Sequence, residues 1–223
     1  MAEPGLTEPA RLTSLLADAI AAKRAGLARG PRSVYQVVLR AFAATGRAPT
    51  PGALADAARP FGLTVRDSLA ELAQADVLGL DDGGGIRMAY PFSSIPTPHI
   101  VTIAAGPRLY AMCAIDALGI PPMLGADALI SSADPVSGTR VTVVFRDGRA
   151  SWSPDSAVVF VGRRSGIGAA ELVSCGCLNF FSSAASAALW AGRSPEVTGS
   201  VLDQAPAEAL GAEIFGSLLS GGI

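Results

Sequence analysis

Three cysteines, one histidine and nineteen acidic side chains are the raw material for chemistry in this sequence. Cys113 and Asp116 stand three residues apart in Met112-Cys113-Ala114-Ile115-Asp116. On a helix that spacing puts thiol and carboxyl on one face, a turn apart. Cys175-Gly176-Cys177 reads as part of a β-like run, where residues two apart point the same way. Thiolates are the nucleophilic and metal-binding form of cysteine, and as soft ligands they select soft metals. A carboxyl group among apolar neighbours such as Ala114, Ile115, Leu118 and Ile120 can have a raised pKa and hold or pass a proton. The same residues also fit a plainer reading, with three small core hydrophobes and a solvated helical aspartate.

Other chemistries lack their parts. His99 is the only histidine, so a Ser-His-Asp or Cys-His hydrolase has one candidate base, and a histidine-based zinc site lacks ligands. His99 follows Pro98 at the start of a β-like run, which favours a structural role. No P-loop motif occurs, and no Gly-rich stretch follows a strand and opens a helix as a dinucleotide fingerprint must.

The elements that position these residues divide at about residue 90. Residues 1–89 carry ten basic and nine acidic side chains and read as mostly helical. Leu12, Leu15, Leu16, Ala19 and Ile20 recur at helical spacing, as do Val34, Val37, Val38, Ala41 and Phe42, with Gly30-Pro31 as the expected break. Thr50 before Pro51 and Thr64 before Asp67 are helix-start signals. Asp81-Asp82-Gly83-Gly84-Gly85 turns between two short β-like runs, Val77 to Leu80 and Ile86 to Tyr90. Helices followed by a hairpin form a winged-helix-like pattern over 1–90. Pro91, Pro96 and Pro98 then mark an extended connector. Residues 91–223 hold β-like runs at His99 to Ala104, Ala128 to Ser132, Arg140 to Phe145, Ala157 to Val161 and Glu171 to Phe181. Helical segments are expected at Leu109 to Leu118, closed by Gly119 and Pro121, from a cap at Ser182 or Ser183 to Trp190, and after Asp203. The fold class is therefore α+β, with mainly antiparallel strands in the second domain.

Composition narrows the function classes. Of 223 residues, half are hydrophobic and 16% charged, with a mean hydropathy of +0.41, which excludes a globally disordered chain. A net charge of -2 gives no field for gripping nucleic acid. The candidate recognition helix Thr64 to Ala75 offsets Arg66 with Asp67 and Glu71, which argues against a DNA-binding regulator. The most apolar window, Ala111 to Ile130, contains Asp116, Asp127 and Pro121-Pro122 and is unsuited to spanning a membrane. No signal peptide is evident and three cysteines make no disulfide framework, so the expectation is a cytoplasmic protein with free thiols. A non-catalytic soft-metal carrier built on Cys175 and Cys177 has no use for Asp116 beside Cys113.

Three segments together resemble the alkylmercury (organomercurial) lyases: Tyr90-Pro91-Phe92-Ser93-Ser94-Ile95-Pro96-Thr97-Pro98-His99, Tyr110 to Leu118 around Cys113 and Asp116, and Ser174-Cys175-Gly176-Cys177-Leu178-Asn179-Phe180-Phe181. Their order and spacing, with the trailing Trp190, extend the resemblance over about residues 30 to 220. It implies a winged-helix-like N-terminal domain joined to a mixed α/β catalytic domain, and cleavage of a carbon–mercury bond by protonation. The family's two cysteines and aspartate match Cys113, Cys175 and Asp116. Cys177 is then an extra thiol and an additional candidate mercury ligand. The activity so implied uses no cofactor, takes an organomercurial as substrate, and passes Hg(II) to small thiols or a mercuric reductase.

Overall fold

The computed structural model describes residues 8–164 and 175–219. Four helices open the chain: α1 (Glu8–Ala25), α2 (Arg29–Thr45), α3 (Pro51–Ala58) and α4 (Val65–Gln74). Thr50 and Thr64 cap α3 and α4 as their sequence signals indicate, accepting from Ala53 N and Asp67 N. Gly30 and Pro31 lie inside the first turn of α2, not between the helices. Pro31 is tolerated there because a first-turn N–H has no helical partner. Val34, Val38, Leu39 and Phe42 form the buried face of α2.

Among the described residues eleven strands follow, in two antiparallel sheets. The larger has the order β1-β2-β3-β5-β4-β6-β7-β8, from β1 (Leu78–Leu80), β2 (Ile86–Ala89), β3 (Phe92–Ser93), β4 (His99–Ile103), β5 (Arg108–Ala111), β6 (Ala128–Ala133), β7 (Arg140–Arg146) and β8 (Arg149–Ser153). The smaller is β10-β9-β11, from β9 (Val158–Arg164), β10 (Asn179–Phe181) and β11 (Val197–Leu202). The β1–β2 hairpin continues through β3 into the rest of the large sheet, so hydrogen bonding crosses position 91. Phe42 of α2 stacks on Phe92 of β3 with ring centroids 5.6 Å apart, which joins the helical part to that sheet.

Helix α5 (Ala114–Leu124) is buried along most of its length against β4 and β5 and against α7 (Gln204–Phe215); α6 (Ala184–Gly192) flanks the small sheet. Leu109, expected in a helix, lies in β5. Buried Leu109 and Ala111 alternate there with more exposed Arg108 and Tyr110, a period-two pattern. Nor do Gly119 and Pro121 close α5, which runs on to Leu124 with Pro121 and Pro122 inside it and ends at Gly125 in the left-handed conformation. A helix-interior proline costs about 3 kcal/mol or more. Packing on both sides of α5 outweighs that cost. Strands β3, β8 and β11 have no sequence signal: β3 is two residues long, and β8 and β11 are mostly exposed or half-buried.

Candidate active site

Strand β5 ends at Ala111, and Cys113 caps the helix that follows, with extended φ and ψ of -153° and -177°. Its sulfur accepts from the Asp116 N–H at 3.5 Å, so the thiol occupies the place a serine or threonine cap would take. Asp116 sits in the first turn of α5, one turn on. The second thiol arrives through another backbone bond. Ala114 N donates to Leu178 O at 3.0 Å, which pins the segment after Cys175 to the start of α5.

Cys175-Gly176-Cys177 is a 3-10 turn, closed by Leu178 N donating to Cys175 O at 3.2 Å, and not a strand. This corrects the expectation that both sulfurs point the same way: three residues per turn rotate side chains two apart well away from each other. Cys175 turns toward Cys113 and Asp116. Cys177 is buried beside Arg164, which pairs with Glu196 at 2.9 Å. The part of the expected β-like run at 171–174 lies outside the described residues.

The two sulfurs and an Asp116 carboxylate oxygen lie within 4.8 Å of one another. All three groups are buried, with Cys113 and Asp116 only 2% and 3% exposed. Burial pushes the Asp116 carboxyl up to about 7, against the downward pull of its hydrogen bonds with Cys113 and of the Arg24 charge. Burial also raises the Cys113 thiol, and hydrogen bonding to Cys175 and the nearby Asp116 push the same way. The site thus holds a carboxyl group that keeps its proton close to neutral pH beside a thiol that resists losing one to water. A soft metal reverses the second property, because a coordinated thiol is deprotonated outright.

A cavity of about 150 Å³ opens on this cluster. Helix α1 forms one side of it through Leu16, Ile20, Lys23 and Arg24; α7 contributes Ile214 and Phe215. Lys23 Nζ meets Asp76 Oδ2 at 2.6 Å, and Arg24 donates to Ile214 O at 2.6 Å with its guanidinium 5.4 Å over the Phe215 ring. Tyr90 also lines the cavity, and its hydroxyl accepts from Cys175 Sγ at 3.4 Å. Tyr35 fixes that residue by donating to Tyr90 O at 2.6 Å. Tyr90 is part of a quoted sequence motif, but its contact with Cys175 had no sequence signal; neither had the placement of Arg24 and Tyr35.

His99 is structural. It is buried, 3.0 Å from Ser132 Oγ through Nδ1, and burial lowers its pKa to about 4 despite a hydrogen bond with Asn179, so the ring is neutral at pH 7. Asp134, which no sequence motif marks, accepts from Ser182 N, Ser182 Oγ and Ser186 Oγ at 2.8, 2.6 and 2.9 Å, fastening β6 to the β10–α6 junction.

Two buried thiols converge on a buried, protonatable carboxyl, an arrangement chemically able to hold a soft metal and to supply a proton, carried on an α+β scaffold. Comparison with known proteins makes this specific. Residues 92–216 match the family model of MerB, alkylmercury lyase. The alkylmercury lyase of Streptomyces lividans is 30% identical over 181 residues, covering 80% of each chain. That of Staphylococcus epidermidis is 30% identical over 142 residues, 63% of this chain; the match spans 65% of the staphylococcal protein, just under two thirds of its length. The crystal structure of the mercury-bound form of MerB2 superposes with a TM-score of 0.74 over 92% of this chain and 99% of that one, at 23% identity, a likeness of fold. The chain belongs to the alkylmercury lyase family.

Proposed function

We propose that the protein is an organomercurial lyase in which Cys113 and Cys175 hold mercury and Asp116 delivers the proton that releases the organic group. The observation that carries this reading is the convergence of both sulfurs and the carboxylate oxygen within 4.8 Å in a buried site.

The reaction balances with the groups present. An organomercurial R–Hg–X exchanges X for one cysteine sulfur, and the thiol proton leaves with X. The second sulfur then binds, and its proton passes to Asp116 in its ionised form, which a pKa of about 7 leaves populated at neutral pH. Each thiolate adds electron density to mercury, which weakens the Hg–C bond and makes the carbon basic. Asp116 protonates that carbon; the Hg–C electron pair becomes the new C–H bond, and RH departs. Mercury remains Hg(II) throughout, held by two sulfurs, so the sequence of steps calls for no redox cofactor. Release of Hg(II) then needs an external thiol or a mercuric reductase as acceptor. Cys177, turned toward Arg164 and away from the cluster, is left outside the chemistry.

The helical N-terminal part serves in this reading as a cover over the site, through α1, and not as a reader of DNA. The test of the whole proposal is headspace analysis. Purified protein with excess thiol and methylmercury should release methane with no added cofactor. Mercury bound without any methane would leave a soft-metal binding protein.

A further inference from the structure

The cavity beside the thiols has a definite size and a replaceable wall. If mercury is held by Cys113 and Cys175, its organic group, one covalent bond away, has to lie in the space those residues line. That space is about 150 Å³, and its apolar lining includes Leu16, Ile20, Val77, Leu178, Ile214 and Phe215. A cavity of this volume with apolar walls takes one benzene ring; here the polar groups Arg24, Asp116 and Tyr90 line part of the same space. Val77, Leu178, Ile214 and Phe215 are core residues, each no more than 5% exposed. Leu16 and Ile20 are half-buried on α1, whose outer face is solvent. They alone among these six can be shortened without opening the core.

We infer that this cavity receives the organic group of the substrate, that its limit is a single aromatic ring, and that Leu16 and Ile20 set that limit. The inference rests on the lyase reading and adds to it a size class of substrate and two specificity-determining residues. Methyl and phenyl groups fit; a fused second ring meets α1.

The test compares kcat/KM for methylmercury, phenylmercury and 1-naphthylmercury by hydrocarbon release, with benzene binding to the protein measured separately by calorimetry. Wild-type protein should cleave naphthylmercury about tenfold or more below phenylmercury, the scale on which apolar pockets discriminate by size. Ile20→Ala and Leu16→Ala should each raise the naphthyl-to-phenyl ratio about tenfold. Leu15→Ala, at a residue of α1 that is itself 68% exposed, should leave the ratio unchanged. Benzene should bind wild type saturably and Ile20→Phe, which fills the space, far less. Equal cleavage of the two aryl substrates by wild type overturns the inference, as does a Leu15→Ala effect equal to that of Ile20→Ala. Cleavage without benzene binding overturns the pocket assignment and leaves the lyase reading standing. Benzene binding with no organomercurial cleaved overturns the lyase reading and the substrate assignment together.

Discussion

Asp116 is the residue on which the proposed chemistry turns, because only a carboxyl that keeps its proton near neutrality can hand one to carbon. Its burial raises the pKa from 3.8 to about 7, and this has a cost visible without any substrate. Between those two values the folded protein keeps a proton that the unfolded chain has released. Stability therefore falls as pH rises from about 4 to 7 and levels off above; the gap corresponds to a penalty on the order of 4 kcal/mol. Asp116→Asn removes the titration, so it should raise the melting temperature relative to wild type at pH 8 and give no comparable gain at pH 4. The same variant should slow hydrocarbon release in single turnover by orders of magnitude while an enzyme–alkylmercury adduct accumulates, as followed by mass spectrometry. Release at the wild-type rate would assign the proton to solvent or thiol. Cys113→Ser and Cys175→Ser should each nearly abolish turnover, since a hydroxyl is a poor ligand for a soft metal. Cys177→Ser should keep a substantial fraction of it. A dead Cys177→Ser beside an active Cys175→Ser would reverse the assignment of the second sulfur.

At the scale of elements, the site depends on how closely α5 and α7 approach. A Cβ at Gly119 would stand 2.3 Å from Phe215 Cδ2 and 2.8 Å from Gly211 O, and one at Gly211 would meet Gly119 N at 2.9 Å. A phenylalanine ring can swing aside, but backbone atoms cannot. Gly119→Ala should thus push the helices apart and destabilise the protein by about 1–3 kcal/mol, the range for overpacked cores. Because Asp116 lies one turn before Gly119 and Phe215 lines the cavity, kcat should fall along with the thermal midpoint. Chemical denaturation together with single-turnover rates would separate the two effects. A loss of stability with unchanged cleavage would show that the α5–α7 crossing does not position the acid.

For the molecule as a whole, the continuity of the β1–β2 hairpin with the large sheet bears on what the N-terminal helices do. They pack on the sheet through Phe42 and Phe92, and α1 closes the cavity with the Lys23–Asp76 ion pair. Ten basic against nine acidic side chains in residues 1–89 leave this part a single excess positive charge, too little to hold a run of phosphates. Binding to duplex DNA at physiological salt should accordingly be weak and without sequence preference in a gel-shift assay. A tight, sequence-specific footprint would turn the covering role into that of a regulator. Among the described residues no helix is long and apolar enough to cross a membrane.

Much of the site was legible locally. Cys113 and Asp116 are brought together by three residues of chain at a helix start, so spacing alone paired them, and Thr50 and Thr64 announced their helices through caps that need only their neighbours, while of Ser182 and Ser183 the structure picks Ser183. The β-like runs at His99 to Ala104, Ala128 to Ser132 and Arg140 to Phe145 located β4, β6 and β7 in the same local way. What tertiary structure decided was every relation across long stretches of chain. Cys175 meets Cys113 because Leu178 O accepts from Ala114 N, and the 3-10 turn, not strand alternation, separates Cys175 from Cys177. Pro121 and Pro122 stay helical because α5 is enclosed on two sides, which local propensity cannot anticipate. The raised pKa of Asp116 and the reach of Tyr90 to Cys175 belong to the same class. Burial and contacts between remote segments are properties of packing, and sequence spacing constrains only groups that share an element.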